Sequence, residues 1–173
     1  MTTHINSINI SSNTLTISYS KGSSDIDALK QVLKGLNYYD TYVKSCNFKA
    51  GSQCPNQKGN YVTIDNGGRV TDITIHNQNL KGFISTDIGH LTNLNHLVLK
   101  GNSLEGSIPS DLGLLTNLTM LDLNTNNLKG TIPSELGKLH NLTYLDLSYD
   151  SDSDCDFCAS GNLVGDIPIE ISN

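Results

Sequence analysis

The residues best suited to chemistry lie in one acidic stretch near the C-terminal end of the chain. This stretch reads SYDSDSDCDFCASGN, and its acidic and aromatic residues are Asp150, Asp152, Asp154, Asp156 and Phe157. Alternating carboxylates are typical of calcium loops, because they converge on one hard cation. Such a loop, however, requires glycine where this sequence has Cys155 and glutamate where it has Gly161. We therefore expect a solvated acidic loop and no bound metal.

The same stretch contains a Cys-x-x-Cys pair, Cys155 and Cys158. This spacing occurs in zinc sites and in redox centres. The other cysteines of the chain, Cys46 and Cys54, lie too far upstream to complete a four-cysteine site. A local disulfide between Cys155 and Cys158, or two free thiols, is therefore the simpler interpretation. No phosphate-binding glycine loop, HExxH motif or nucleophile elbow occurs in the sequence, so we predict neither an enzyme nor a cofactor.

The scaffold that must position these residues is a repeat. From Leu94 to Asn141 the chain consists of two consecutive copies of one 24-residue unit. The first copy reads LNHLVLKGNSLEGSIPSDLGLLTN and the second reads LTMLDLNTNNLKGTIPSELGKLHN. A fixed period of this length is typical of a solenoid, in which each coil buries its leucines only by stacking on its neighbours.

The same pattern extends in both directions from these two copies. It gives three regular coils at 70–93, 94–117 and 118–141, and an interrupted, incomplete fourth coil at 142–173. The LxxLxL alternation predicts a short strand with one buried face, and the strands of successive coils should pair in parallel. Polar side chains follow each strand, and we expect them to form a ladder that satisfies the backbone of the turn. They are Gln78, Asn102 and Asn126.

Two further segments precede the repeats. Residues 1–24 are predicted to be a disordered extension or a strand, since Leu15, Ile17 and Tyr19 alternate on one face. From residue 25 onward the spacing indicates a helix that ends near Gly35 and Asn37. The apolar face of this helix consists of Ile26, Leu29, Val32, Leu33 and Leu36.

The repeat LxxLxLxxNxLxGxIPxxLGxLxx resembles the plant-type leucine-rich repeat of receptor-like kinase ectodomains and polygalacturonase-inhibitor-like proteins. The resemblance covers roughly residues 25–173. It implies an α/β solenoid, a right-handed superhelix with a parallel β-sheet on its concave side and an N-terminal helical cap at 25–68. In that family a cysteine-paired segment follows the cap helix, which implies a disulfide between Cys46 and Cys54 here. Ile64 occupies the position of a second family cysteine.

The resemblance further implies recognition of a protein or peptide ligand by the outward side chains of the concave sheet and by the 148–162 insertion. Position in the repeat places these side chains in three rows across the strands. The first row is Asp72, His96, Met120 and Tyr144; the second is Thr74, Val98, Asp122 and Asp146; the third is His76, Lys100, Asn124 and Ser148. The alternative is that they are solvated strand positions without a partner.

The two histidines of these rows are candidate metal ligands, because the imidazole ring commonly binds metal ions. His76 and His96 belong to neighbouring strands but to different rows, so we expect them to be too far apart for one ion. No metal site is therefore predicted on the sheet.

Charge and composition restrict the other partners. The net charge of −6 comes without any basic patch, so nucleic acid is not an expected partner. No apolar run approaches the roughly 18 residues of a membrane span. Residues 1–24 lack the basic start and apolar stretch of a signal peptide. Asn117 and Asn141 begin Asn-x-Thr sequons on the outer side of their coils, where a glycan would leave the concave face free.

Three functions follow as hypotheses. The first is an ectodomain-like or inhibitor-like recognition module, which the family resemblance places outside the cell or at its surface. The second is an intracellular scaffold, which the missing signal peptide favours. The third is a structural surface or ice-binding protein, which would require a flat, regular array of Thr or Asn. Because the chain stops before the leucine equivalent to Leu139, we also expect an uncapped last coil that favours self-association.

Overall fold

The computed structural model describes residues 5–11, 14–19, 24–37, 51, 53–55, 59–148, 163–166 and 168. Its elements are β1 (Ile5–Ser11), β2 (Thr14–Tyr19), α1 (Ser24–Gly35), β3 (Gln53–Pro55), β4 (Tyr61–Ile64), β5 (Val70–Thr74), β6 (His96–Val98), β7 (Met120–Asp122) and β8 (Tyr144–Asp146). Three short 3-10 helices separate the later strands: η1 (Thr86–His90), η2 (Ser110–Leu114) and η3 (Ser134–Lys138).

Several sequence predictions lie outside the described residues. They concern the acidic insertion and the cysteine pairs, and the residues are Cys46, Asp150, Asp152, Asp154, Cys155, Asp156, Phe157 and Cys158. Cys54 belongs to strand β3, but its side chain is not described either.

The main sheet contains six strands in the order β3-β4-β5-β6-β7-β8. Strands β5 to β8 pair in parallel, and each residue lies opposite the residue 24 positions later in the chain. Leu97, for example, lies between Ile73 and Leu121. This arrangement confirms the predicted solenoid with its parallel sheet. Before the first coil, β3 pairs antiparallel with β4, and β4 pairs antiparallel with β5.

The core lies behind this sheet and runs through all the coils. The leucine and isoleucine slots of the first three coils are buried except for Ile132, which is partly buried, and Leu94, Leu97 and Leu99 are fully excluded from solvent. Each such side chain contributes about 1.5–3 kcal/mol relative to an exposed one. The equivalent residues of the fourth coil, Leu142 and Leu145, are only partly buried. Self-association through this coil stays a prediction.

Helix α1 packs against the first coil. Its apolar face is buried, with Leu33 and Leu36 fully excluded from solvent. Two hydrogen bonds fix its ends: the Val70 amide donates to the Asp25 carboxylate (3.1 Å), and the Phe83 amide donates to the Gly35 carbonyl (2.8 Å). Among the helices that the structure describes, none is long and apolar enough to cross a membrane.

The Gly-x-Ile-Pro segments form a second set of parallel contacts on another side of the coils. The amides of Glu105, Lys129 and Val164 each donate to a carbonyl of the preceding coil at 2.8 Å. Gly106 and Gly130 adopt φ values of 81° and 86°, which a residue with a Cβ adopts only with strain. The chain then enters the 3-10 helices, and Pro109 and Pro133 immediately precede η2 and η3.

Candidate binding surface

The structure brings the three predicted rows together on the outward face of strands β5 to β8. Cα pairing places Asp72, His96, Met120 and Tyr144 opposite one another, and it does the same for Thr74, Val98, Asp122 and Asp146. The third row follows the strands, where backbone pairing continues through the carbonyls of Lys100, Asn124 and Ser148. We call the surface formed by these twelve positions, which include His76, the sheet face.

The second row contributes little to the exposed part of the sheet face. Thr74, Val98 and Asp122 are only 7%, 9% and 3% exposed. The ammonium of Lys100 lies next to the Asp122 carboxylate, at a distance of 3.5 Å. The surface available to a ligand therefore comes mainly from the first and third rows, and Tyr144 is its most exposed apolar side chain at 42%.

Two carboxylates of the sheet face have partners with a cationic form. Asp72 lies 2.5 Å from Nδ1 of His96 on the next strand, and its other oxygen accepts a hydrogen bond from the Thr71 hydroxyl (2.8 Å). Asp122 pairs with Lys100 and also accepts a hydrogen bond from the backbone amide of Asn124 (3.3 Å). These contacts link neighbouring strands, so the charged groups of β5, β6 and β7 are largely paired with one another.

The third carboxylate, Asp146, is held by neutral donors. Its Oδ1 accepts hydrogen bonds from the hydroxyl (2.6 Å) and the backbone amide (3.0 Å) of Ser148. Its Oδ2 accepts from the side-chain amide of Asn124 (3.0 Å) and from the Tyr144 hydroxyl (3.3 Å). The hydrogen bond from the Ser148 hydroxyl lowers the pKa of Asp146, and the other donors act in the same direction. Partial desolvation raises the pKa, but its effect is smaller than that of the donors together. Asp146 is therefore a negative charge at neutral pH.

The pKa of Tyr144 is raised in these surroundings, whereas that of Asp146 is lowered. Partial desolvation, followed by the negative charges of Asp122 and Asp146, raises the pKa of its hydroxyl. The phenol is therefore neutral and its hydroxyl acts as a donor. Since Met120 lies opposite Tyr144 in the register, an aromatic and a thioether side chain occur side by side in the first row.

The two histidines of the sheet face contact other side chains of the protein. Nδ1 of His76 lies 3.2 Å from the side-chain amide of Asn77, and His96 contacts Asp72. Within the described ranges, no group of three or more His, Cys, Asp or Glu side chains could hold a metal ion.

The polar side chains after the strands make the bonds expected of a ladder in two coils. Oδ1 of Asn102 accepts from the amides of Gln78 (3.0 Å) and Leu80 (3.3 Å). Its Nδ2 donates to the carbonyls of Ile75 (2.8 Å) and Leu99 (2.7 Å). Asn102 thus joins its own coil to the preceding one.

Asn126 repeats this arrangement one coil later. It accepts from the Leu104 amide (3.1 Å) and donates to the carbonyls of Leu99 (3.1 Å) and Leu123 (2.9 Å). Gln78 differs, because its longer side chain donates to the carbonyls of His76 and Asn77 in its own turn.

The two sequons also join adjacent coils. Both asparagines are exposed, and Nδ2 of Asn117 and Asn141 donates to the carbonyls of Thr92 (2.9 Å) and Thr116 (2.8 Å). The Thr119 hydroxyl, in the first sequon, donates to the carbonyl of Asn95 (3.1 Å). Each Nδ2 carries two hydrogens, so a glycan would replace one and leave the other for this bond.

A groove of about 940 Å³ lies away from the sheet, along the Gly-x-Ile-Pro segments. Its walls are Ser107, Pro109, Thr131 and Pro133 with the exposed ring of Phe83. None of the sequence motifs considered above points to it. The available signal is the repeated Gly-x-Ile-Pro-Ser text itself, which places small residues at the same position in successive coils.

Comparisons with known proteins agree with this architecture. The sequence profile of the leucine-rich repeat matches residues 93–115 and 117–139. No curated protein sequence matches the chain. Among solved structures, the leucine-rich repeat ectodomain of the receptor kinase SOBIR1 from Arabidopsis thaliana is 32% identical, with a TM-score of 0.56, over 73% of this chain and 67% of that chain.

Two other solved structures are similar over the same share of this chain. The PEPR1–AtPEP1 structure is 31% identical with a TM-score of 0.61. The plant peptide hormone receptor RGFR1 in complex with RGF2 is 32% identical with a TM-score of 0.53. Both alignments cover 73% of this chain, but the chain spans only 18% and 20% of the PEPR1 and RGFR1 chains.

Proposed function

Since this chain belongs to the plant-type leucine-rich repeat family, we propose that it is a non-catalytic recognition module that binds a peptide or protein segment across the sheet face. The observation that carries this proposal is the register of strands β5 to β8, which aligns side chains from four coils on one surface. Two similar structures are those of PEPR1-AtPEP1 and of the plant peptide hormone receptor RGFR1 in complex with RGF2. The 148–162 insertion follows directly after strand β8 in the chain and belongs to the proposed surface.

The size of the sheet face indicates weak binding by this segment alone. Four strands about 4.8 Å apart span roughly 14 Å, and five strand residues extend about 17 Å. That area is smaller than the roughly 800 Å² that each partner buries in a stable complex. The proposal therefore expects a short peptide, or a larger partner that also contacts neighbouring parts of the receptor.

Tyr144 is the side chain whose removal should cost most binding. We expect peptides selected from a random display library against the immobilised chain to lose roughly tenfold or more in affinity with Tyr144→Ala, because exposed aromatic residues dominate binding energy at interfaces. Isothermal titration with the selected peptides measures the change. Leu114→Ala is the matched control, since Leu114 is 54% exposed but lies on η2, away from the sheet.

The same titration can contradict the proposal. Phe83→Ala tests the groove, because Phe83 is 58% exposed and lines it. A loss of affinity with Phe83→Ala or Leu114→Ala, and none with Tyr144→Ala, would place the binding surface elsewhere. Selection that yields no binding peptide would argue for a scaffold or structural role.

The proposal also places the chain outside the cell or at its surface. We expect material from its native host to carry glycans on Asn117 or Asn141 and oxidised cysteines, because secreted proteins retain disulfides. Intact mass, with and without reduction, alkylation and glycosidase treatment, measures both. Four free thiols and no glycan would instead favour an intracellular scaffold.

A further inference from the structure

The sheet face carries more carboxylates than lysines and arginines, which favours a positively charged ligand. Its twelve positions contain three carboxylates, Asp72, Asp122 and Asp146, but only one lysine, Lys100, and no arginine. We propose that the sheet face selects peptides that carry an arginine or lysine side chain, which binds at Tyr144 and Asp146 on strand β8. This inference rests on the proposed function, since it names the ligand class for the same surface.

Lys100 is not available to a negatively charged ligand. Its ammonium lies 3.5 Å from the carboxylate of Asp122, which is only 3% exposed. Taking that cation away would leave a buried carboxylate without its charged partner, which is costly. A peptide that offered a carboxylate to Lys100 would have to compete with Asp122. The sheet face therefore presents no uncommitted lysine or arginine among its twelve positions.

Asp146 differs from the other two carboxylates in its partners. Asp72 contacts His96 and Asp122 contacts Lys100, whereas Asp146 is bonded by Ser148, Asn124 and Tyr144. Those neutral donors fix the orientation of the carboxylate without compensating its charge. Of the four bonds, the one from the Tyr144 hydroxyl is the longest at 3.3 Å, so it is the one that an incoming cation would most readily replace.

The neighbouring side chains suit the rest of a basic residue. Tyr144 offers an exposed ring beside the Asp146 carboxylate, and a guanidinium or ammonium group can stack on such a ring while it pairs with the carboxylate. Met120 lies opposite Tyr144 in the register and offers a thioether that adapts to the methylene stem of the same residue. Charge, ring and apolar contact thus come together on β7 and β8.

The test uses three pools of synthetic peptides that differ only in one central residue, which is arginine, citrulline or glutamate. Citrulline matches arginine in shape but carries no charge. We expect the chain to bind the arginine pool roughly fivefold or more tightly than the citrulline pool, and the glutamate pool least. The preference should weaken as salt is added, because an exposed ion pair is screened.

Variants connect this preference to the named residues. Asp146→Asn removes the charge with little change in volume, and it should bring the ratio of arginine to citrulline binding close to one. Asp111→Asn, which makes the same charge change on η2 away from the sheet, should leave the ratio unaltered. Tyr144→Phe keeps the ring, removes only the 3.3 Å bond to Asp146, and should retain most of the preference. Circular dichroism of the Asp146→Asn variant should match that of the unmodified chain.

The outcomes separate this inference from the proposed function. Equal binding of the arginine and citrulline pools, or a preference for glutamate, overturns the inference; if Tyr144→Ala still weakens binding, the sheet face remains the binding surface. An arginine preference that survives Asp146→Asn also overturns it. If none of the pools binds, or if Tyr144→Ala and Leu114→Ala behave alike, both proposals fail.

Discussion

Replacing Asn102 with alanine is expected to destabilise the chain by about 3–5 kcal/mol, the largest effect of any single polar substitution in the solenoid. The side chain is 8% exposed, and it bonds two backbone amides and two backbone carbonyls of adjacent coils at 2.7–3.3 Å. Alanine leaves the two amides and the Ile75 carbonyl without this partner, whereas the Leu99 carbonyl keeps its bond from Asn126. Each buried unsatisfied group costs about 1–3 kcal/mol. Partial relaxation keeps the total below the sum.

Urea-induced unfolding, followed by circular dichroism, measures this loss from the transition midpoint. Asn117→Ala is the matched control, since Asn117 is an exposed asparagine with one inter-coil hydrogen bond at 2.9 Å and should cost less than about 1 kcal/mol. Asn102→Asp should cost at least as much as Asn102→Ala, because it buries a carboxylate oxygen against the carbonyls of Ile75 and Leu99, to which the amide now donates. Similar losses for Asn102→Ala and Asn117→Ala would mean that the buried ladder does not hold the coils together.

The repeat explains why the sheet could be predicted from the sequence. Once the leucines of consecutive coils share one core, residues 24 positions apart must occupy the same place in each coil. The register of Ile73, Leu97 and Leu121 follows directly, and so do the turn positions of Asn102 and Asn126. Gln78 occupies the same slot, but its extra methylene lets it bond its own turn, which a slot pattern does not reveal.

The exposure of the sheet face could not be predicted in the same way. Alternation along a strand indicates which way a side chain points, but it does not show what covers it. Asp122 points outward and is nevertheless only 3% exposed, and the ammonium of Lys100, which follows β6 in the preceding coil, lies 3.5 Å from its carboxylate. The hydrogen bond from the Asn124 side chain to Asp146 likewise joins positions 22 residues apart, which the 24-residue repeat does not relate. The sequence therefore predicts where the candidate surface lies but not which of its side chains a ligand can reach.

Segments outside the repeat were the hardest to anticipate. Strand β4 has no second copy with which to compare it, and its antiparallel pairing with β5 extends the sheet beyond the first coil. The helix was visible in the spacing of its apolar face, and it ends at Gly35, just before Asn37 with a φ of 53°. The distance between that helix and the first coil depends on three-dimensional packing. At Gly82 the backbone of the first coil lies so close to the end of the helix that no Cβ fits between them.

Gly82→Ala is expected to cost about 3–5 kcal/mol, because it forces helix α1 away from the first coil. A Cβ at this position would lie 1.7 Å from the carbonyl oxygen of Gly35 and 2.9 Å from the carbonyl carbon of Leu36. Both contacts are with backbone atoms, so no side-chain rotation relieves them. Moving the helix breaks the 2.8 Å bond from the Phe83 amide to Gly35 and exposes the buried face that includes Leu33.

Two other glycines distinguish a steric clash with the helix from backbone strain, and the first is the corresponding glycine of the next coil. Gly106 needs glycine because of its φ of 81°, and its nearest neighbour for a Cβ is Phe83 at 3.7 Å. Gly68→Ala is the cleaner control, since a Cβ there meets nothing within 4 Å and its φ of 79° should cost about 1 kcal/mol. Urea unfolding gives both costs, and hydrogen exchange should show faster exchange in α1 only for Gly82→Ala. Equal costs at Gly82 and Gly68, with unchanged exchange in α1, would mean that the helix does not cap the first coil in this position.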